Sequence, residues 1–160
     1  MSLEIERKFL VTDDRYKQQA FSCDRIAQGY ICRQGGNSVR VRVRGGKGFL
    51  TVKGPSLDGG FSRYEWEREI PVSEAWELMK LCHGGIIDKC RYLVKCGSHI
   101  FEVDEFYGDN EGLVVAEVEL GSLSESFETP SFLGREVTGE AKYYNGHLSR
   151  LPYKLWKSNV

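Results

Sequence analysis

Charged residues recur at every second position through much of this chain, and they recur in blocks of one sign. Glu4 and Glu6 precede Lys8; Arg40, Arg42 and Arg44 follow one another; Glu65, Glu67 and Glu69 follow Arg63. Lys89 and Arg91, Glu102 and Asp104, and Glu117 and Glu119 complete the series, while Thr51 and Lys53 continue the basic block. Arginine and lysine bind phosphate oxygens, arginine in bidentate fashion. Carboxylates are hard oxygen ligands for Mg2+ or Mn2+, which bridge to further phosphate oxygens. Segregated acid and base of this kind is what a triphosphate with one or two divalent ions requires.

A spacing of two puts each set on one face of a strand. The opposite faces are apolar, as in Val39, Val41 and Val43, in Trp66 and Ile70, in Tyr92 and Val94, and in Ala116, Val118 and Leu120. Alternation alone allows either a charged lumen or a sheet face turned to water. Separation by sign favours the lumen, because like charges side by side repel and a solubility surface mixes signs.

The same period marks eight strands, over residues 3–11, 25–33, 38–44, 49–53, 61–72, 87–96, 99–107 and 113–120. Residues 12–21 carry a helical turn or two from a Thr12 or Asp13 cap. A helix runs over 74–82, capped by Ser73 and ended by Gly84-Gly85. A short capped helix covers 122–128, and residues 140–157 are helical in pieces. About eight strands can close around one small ligand. The expected fold is therefore mainly β: a closed eight-stranded antiparallel β-barrel with a charged lumen and a few outer helices, in one domain over 1–160. Those helices are few for the apolar outer face, so a homodimer is also expected.

A net charge of −1 on 160 residues argues against a nucleic-acid or anionic-membrane partner held by bulk electrostatics. No apolar run approaches bilayer-spanning length, and residues 1–10 lack a signal-peptide pattern. The five cysteines are odd in number and show no CxxC spacing, which disfavours structural zinc and a disulfide framework. Reduced thiols and a cytoplasmic location are the expectation.

Glu4-Ile5-Glu6-Arg7-Lys8 forms an ExExK motif. With VRVR at 39–42, TVK at 51–53, EWE at 65–67, KCR at 89–91, FEVD at 101–104, AEVEL at 116–120 and FLGREVTGEAKYYN at 132–145, the chain resembles the CYTH superfamily, the triphosphate tunnel metalloenzymes. The resemblance implies an eight-stranded β-tunnel acting on triphosphates with divalent metal. It implies that Lys8, Arg40, Arg42, Lys53, Lys89 and Arg91 bind the phosphate chain, and that Glu4, Glu6, Asp104, Glu117 and Glu119 hold the metals. Glu65 and Glu67 match tunnel carboxylates that ligate metal or position water.

Tyr30 matches a tyrosine that pairs with the KxR lysine, here Lys89; a plain wall role is equally open to it. Arg44, Arg63 and Glu69 are expected at a tunnel mouth, and Lys142 within reach of the lumen. Three activities compete. Hydrolysis of inorganic triphosphate is favoured by a short chain with few residues beyond the tunnel. The alternatives are a class IV adenylyl cyclase and a non-catalytic module that binds polyphosphate or nucleotide. Thiamine triphosphate is disfavoured, because Trp66 lies on the outward face.

Overall fold

The computed structural model describes residues 2–156. Its strands are β1 (Ser2–Val11), β2 (Ser22–Gln34), β3 (Asn37–Arg44), β4 (Lys47–Lys53), β5 (Ser62–Ile70), β6 (His83–Cys96), β7 (His99–Phe106), β8 (Val114–Glu119) and β9 (Leu133–Glu136). They hydrogen-bond in the order β5-β4-β3-β2-β6-β7-β8-β1-β9, all antiparallel, and a further β5–β1 pairing closes the first eight into a barrel. Closure leaves no bare edge among those eight strands. β1 gives one edge to β8 and divides the other, pairing with β5 through Leu3 and Glu4 and with β9 through Phe9 and Val11.

The apolar faces point outward and are covered in two places. Phe9, Val94, Phe101, Val103, Ala116 and Val118 lie beneath Tyr16, Phe127 and Phe132 of the connecting segments. Val41 and Val43 lie beneath Ala75 and Met79 of helix α2 (Val72–Met79); α1 (Tyr16–Gln19) is the shorter helix before it in the chain. The outer side of β1, β5 and β4 keeps Leu3, Tyr64 and Val52 exposed.

A third apolar cluster sits inside one end of the barrel. Ile87, Phe106 and Val115 share their strand faces with Lys89, Asp104 and Glu117, so they point inward. They pack with Val137, Tyr143 and Leu148 from the C-terminal segment. The lumen is thus charged along most of its length and apolar at this end. Helix α3 (Asn145–Leu148) belongs to the same seal.

The eight expected strands are all present, with β9 as an addition. The helices differ more. Helix α2 starts at Val72 after Pro71, and no side chain caps it. It ends at Met79, and Gly84 and Gly85 belong to β6, where the Gly85 N–H donates to the Ser149 carbonyl at 2.7 Å. No helix forms over 122–128. Glu125, which a capping pattern would turn back onto Ser122, instead accepts from the Gly121 N–H at 2.8 Å and pairs with His99. The C-terminal stretch is two short 3-10 turns and α3; Lys157, its expected last residue, lies outside the described residues. No helix among the described residues is long and apolar enough to cross a membrane.

Candidate active site

The barrel encloses a cavity of about 550 Å3. The alternation within each strand sends Glu4, Glu6 and Lys8 of β1, Arg40, Arg42 and Arg44 of β3, and Lys53 of β4 into it. Glu65 and Glu67 of β5, Arg91 of β6, Glu102 of β7, and Glu117 and Glu119 of β8 face the same space. The strand order sets bases on β3 and β6 across from acids on β1 and β8.

The basic side is buried and held by specific contacts. Lys8 stands 3.2 Å from Glu117 and 4.1 Å above the Tyr144 ring. Lys53 donates to Glu4 at 2.9 Å. Arg40 donates to Thr51 Oγ1 at 3.2 Å, and Thr51 in turn donates to Glu67 at 2.6 Å. Arg42 donates from Nε to Gln28 Oε1 at 2.9 Å. Burial, then the charges of Arg40 and Arg91, push the Arg42 guanidinium down to about 9. Arg40 Nε and Gln28 Nε2 are buried donors without a hydrogen-bond partner among the described residues. Orphaned donors beside crowded cations are costly, and an anion's oxygens relieve both conditions.

The acidic side brings carboxyls together in pairs, Glu4 with Glu65 and Glu6 with Glu117. Glu65 hydrogen-bonds Glu4, and this contact together with burial raises the Glu65 carboxyl to about 7. Burial, then the charges of Glu117 and Glu4, raise Glu6 well above the usual carboxylate range. Burial would also raise Glu117, but Lys8 and a hydrogen bond with Glu6 hold it well below that range. Among the described residues the lining offers carboxylates and no thiol or imidazole, a set suited to a hard divalent cation. Among the described residues no three of them already gather at one point.

Four expected positions differ. Asp104 is absent from the cavity lining. Arg91 donates to it at 2.8 and 2.9 Å and Lys89 at 2.7 Å, so both its oxygens are occupied by cations. Burial alone would raise its carboxyl, yet Arg91 and Lys89 hold it well below the usual range. Lys89 is likewise buried in the wall, and burial pulls its ammonium down to about 7 against the pull of Asp104. Lys89 bonds Asp104 and Asn145 rather than Tyr30, although Tyr30 does line the cavity. Lys142 lies outside, over the Tyr143 and Trp156 rings. Arg44 and Arg63 line the cavity, and Glu69 is exposed away from it.

Sequence reading missed Gln28, Arg33, Tyr144, Asn145 and Arg150. Gln28 shares a strand face with Tyr30 and was open to the same alternation argument. The last three arrive on a segment without period; Tyr144 and Asn145 close the FLGREVTGEAKYYN match, which assigned them no role.

The CYTH domain family matches residues 2–147. The chain belongs to this family. It is 49% identical over 158 residues to the inorganic triphosphatase of Acetivibrio thermocellus, covering 98% of this chain and 99% of that one. It is 33% identical over 150 residues to the inorganic triphosphatase of Nitrosomonas europaea, covering 91% and 96%. Among solved structures, the crystal structure of the inorganic triphosphatase NE1496 aligns with a TM-score of 0.62 at 31% identity, over 91% of this chain and 97% of that one. The PH1012 protein of Pyrococcus horikoshii OT3 aligns with a TM-score of 0.62 at 23% identity over 76% and 80%, a likeness of fold.

Proposed function

We propose that this protein hydrolyses inorganic triphosphate to pyrophosphate and orthophosphate, with Mg2+ or Mn2+ as cofactor. The observation that carries this reading is the cavity lining. Among the described residues it contains no aliphatic side chain, and Tyr30 and Tyr144 are its only aromatics. A site for a purine or a thiazolium ring buries it among apolar and aromatic groups; this one offers charge on nearly every side. The two curated relatives support the same reading.

Glu4, Glu6, Glu65, Glu117 and Glu119 would hold the divalent cation, which supplies positive charge to the phosphate oxygens when bound. Lys8, Arg40, Arg42, Lys53 and Arg91 donate hydrogen bonds to the chain and fix its register in the lumen. Lys89 acts from behind the wall, orienting Asp104 and through it Arg91. Glu67, held by Thr51, accepts from a water placed in line with the terminal phosphorus. The water oxygen bonds to phosphorus, the bridging P–O bond breaks, and pyrophosphate departs with the electron pair. The exclusion of bulk water strengthens each of these contacts. The five cysteines are free thiols, which supports a reducing compartment such as the cytoplasm.

The test offers purified protein triphosphate, ATP and thiamine triphosphate with Mg2+ or Mn2+. Phosphate release from triphosphate far above the others supports the proposal. Cyclic AMP and pyrophosphate from ATP would replace it with a cyclase, and tight binding without product would replace it with a binding module.

A further inference from the structure

The cations on the cavity lining differ in their partners, and Arg42, deep in the lumen, is held by Gln28 alone. Lys8, Arg40, Arg44, Lys53 and Arg91 each stand beside a carboxylate. Arg33, Arg63 and Arg150 also line the cavity, and among the described residues none of the three forms an ion pair. Arg33 of β2 donates from Nη1 to the Gly146 carbonyl at 2.6 Å. Arg63 of β5 donates from Nε and Nη2 to the Gly54 carbonyl at 3.2 and 3.0 Å. Arg150, just past α3, is exposed, and its guanidinium has no hydrogen-bond partner among the described residues. A carbonyl orients a guanidinium without cancelling its charge.

The surroundings are built for this arrangement. A Cβ at Gly146 would come within 2.6 Å of Arg33 Cζ, so glycine lets the guanidinium lie against the backbone. Gly36, at φ 83°, brings the β2–β3 turn against Pro55, where a Cβ would meet the proline ring carbon at 2.7 Å. The β2–β3 turn, the loop after β4 and the segment after α3 thereby surround one opening, whose lining residues 34–37 and Ser56 are exposed. Burial, then the charges of Arg150 and Arg63, push the Arg33 guanidinium below its ordinary value. Arg63 stands opposite Glu4 in the β5–β1 pairing, but Arg33 and Arg150 add two charges with no ion-pair partner among the described residues, and the surplus attracts an anion.

We infer that Arg33, Arg63 and Arg150 form an anion-receiving site at this opening, at the border of the acidic wall, which takes a phosphate group of the incoming oligophosphate before the chain is drawn into the lumen. The identity of the ligand rests on the triphosphatase reading; the site itself rests on the three guanidinium groups. Capture at an opening affects the encounter with substrate more than the chemical step.

The experiment compares R150Q and R63Q with R68Q, an exposed outer-face control whose guanidinium lies over Trp66. R150Q should raise KM for triphosphate about threefold to tenfold, as expected for one lost charge contact. It should leave kcat nearly unchanged and flatten the salt dependence of KM, while R68Q matches the parent. Calorimetric titration of triphosphate in EDTA provides a readout independent of turnover, with R150Q and R63Q weaker than R68Q. Equal affinities for R150Q, R63Q and R68Q at low salt would overturn the inference. A parent protein that binds triphosphate through Arg150 without hydrolysing it would overturn the catalytic proposal and leave this one standing.

Discussion

Lys89 and Asp104 meet inside the barrel wall at 2.7 Å, with side chains 0% and 2% exposed. Asp104 also carries Arg91, so one carboxylate neutralises two buried cations. Removing its charge leaves Lys89 uncompensated and Arg91 with Glu102 alone, a loss of about 3–5 kcal/mol. D104N should therefore melt roughly 10 °C below the parent. E102Q, which gives up only a half-buried bond to Arg91, should cost about 1 kcal/mol or less. Thermal denaturation of the two variants decides, and equal melting points would show that Asp104 does not anchor the pair.

The acidic wall should be required for divalent-dependent turnover. E4Q, E6Q and E117Q are each expected to lose about a hundredfold or more of phosphate release, together with Mn2+ binding by calorimetry. Near-parent activity in all three would remove the metal from this wall.

Thr51 links the two functions proposed for β3 and β5, since its hydroxyl accepts from Arg40 and donates to Glu67. Valine keeps the shape and deletes both bonds. T51V should lower kcat by about tenfold to a hundredfold and change KM less. An unaltered kcat would free Glu67 from the role of orienting water.

Acid sensitivity is expected where β9 is fastened. Arg7 donates to Glu136 at 2.9 and 2.6 Å, and Thr138 donates to it at 2.7 Å. The Arg7 bond holds the Glu136 carboxyl below its ordinary value in spite of partial burial. A carboxyl depressed in the folded state contributes stability above its unfolded pKa and loses that contribution as pH falls through its folded one. E136Q should thus be weaker than the parent by about 1 kcal/mol at neutral pH, and the gap should close toward the acid limit. Urea midpoints across that range measure it; a gap independent of pH would contradict the linkage.

The charged lumen was legible because a strand's period of two turns sign into direction: Arg40 and Arg42 could not point inward unless Val41 pointed out. The same rule reached Ile87, Phe106 and Val115, which share their faces with charged residues, but alternation says nothing of where a lumen stops being wet. Their inward position became an apolar seal only through Val137, Tyr143 and Leu148, residues of a segment with no period to read. Asp104 was misplaced for a related reason. Its face was legible, its depth was not, and depth decides whether a carboxylate meets a metal or two cations. The helix expected over 122–128 failed because Glu125 had better partners in Gly121 and His99 than its own first turn could offer.

The way β1 is shared has a consequence for synthesis. The strand bearing Glu4, Glu6 and Lys8 finds its neighbours at residues 62–65, 115–119 and 133–136. β1 is synthesised before all of these neighbours, and its edge toward β8 stays unpaired until residues 115–119 have followed. Partners so distant in sequence make assembly slow, and a waiting strand is open to wrong pairing. The alternate charges along β1 are suited to that interval, since they keep an unpaired strand soluble and discourage it from joining another copy of itself.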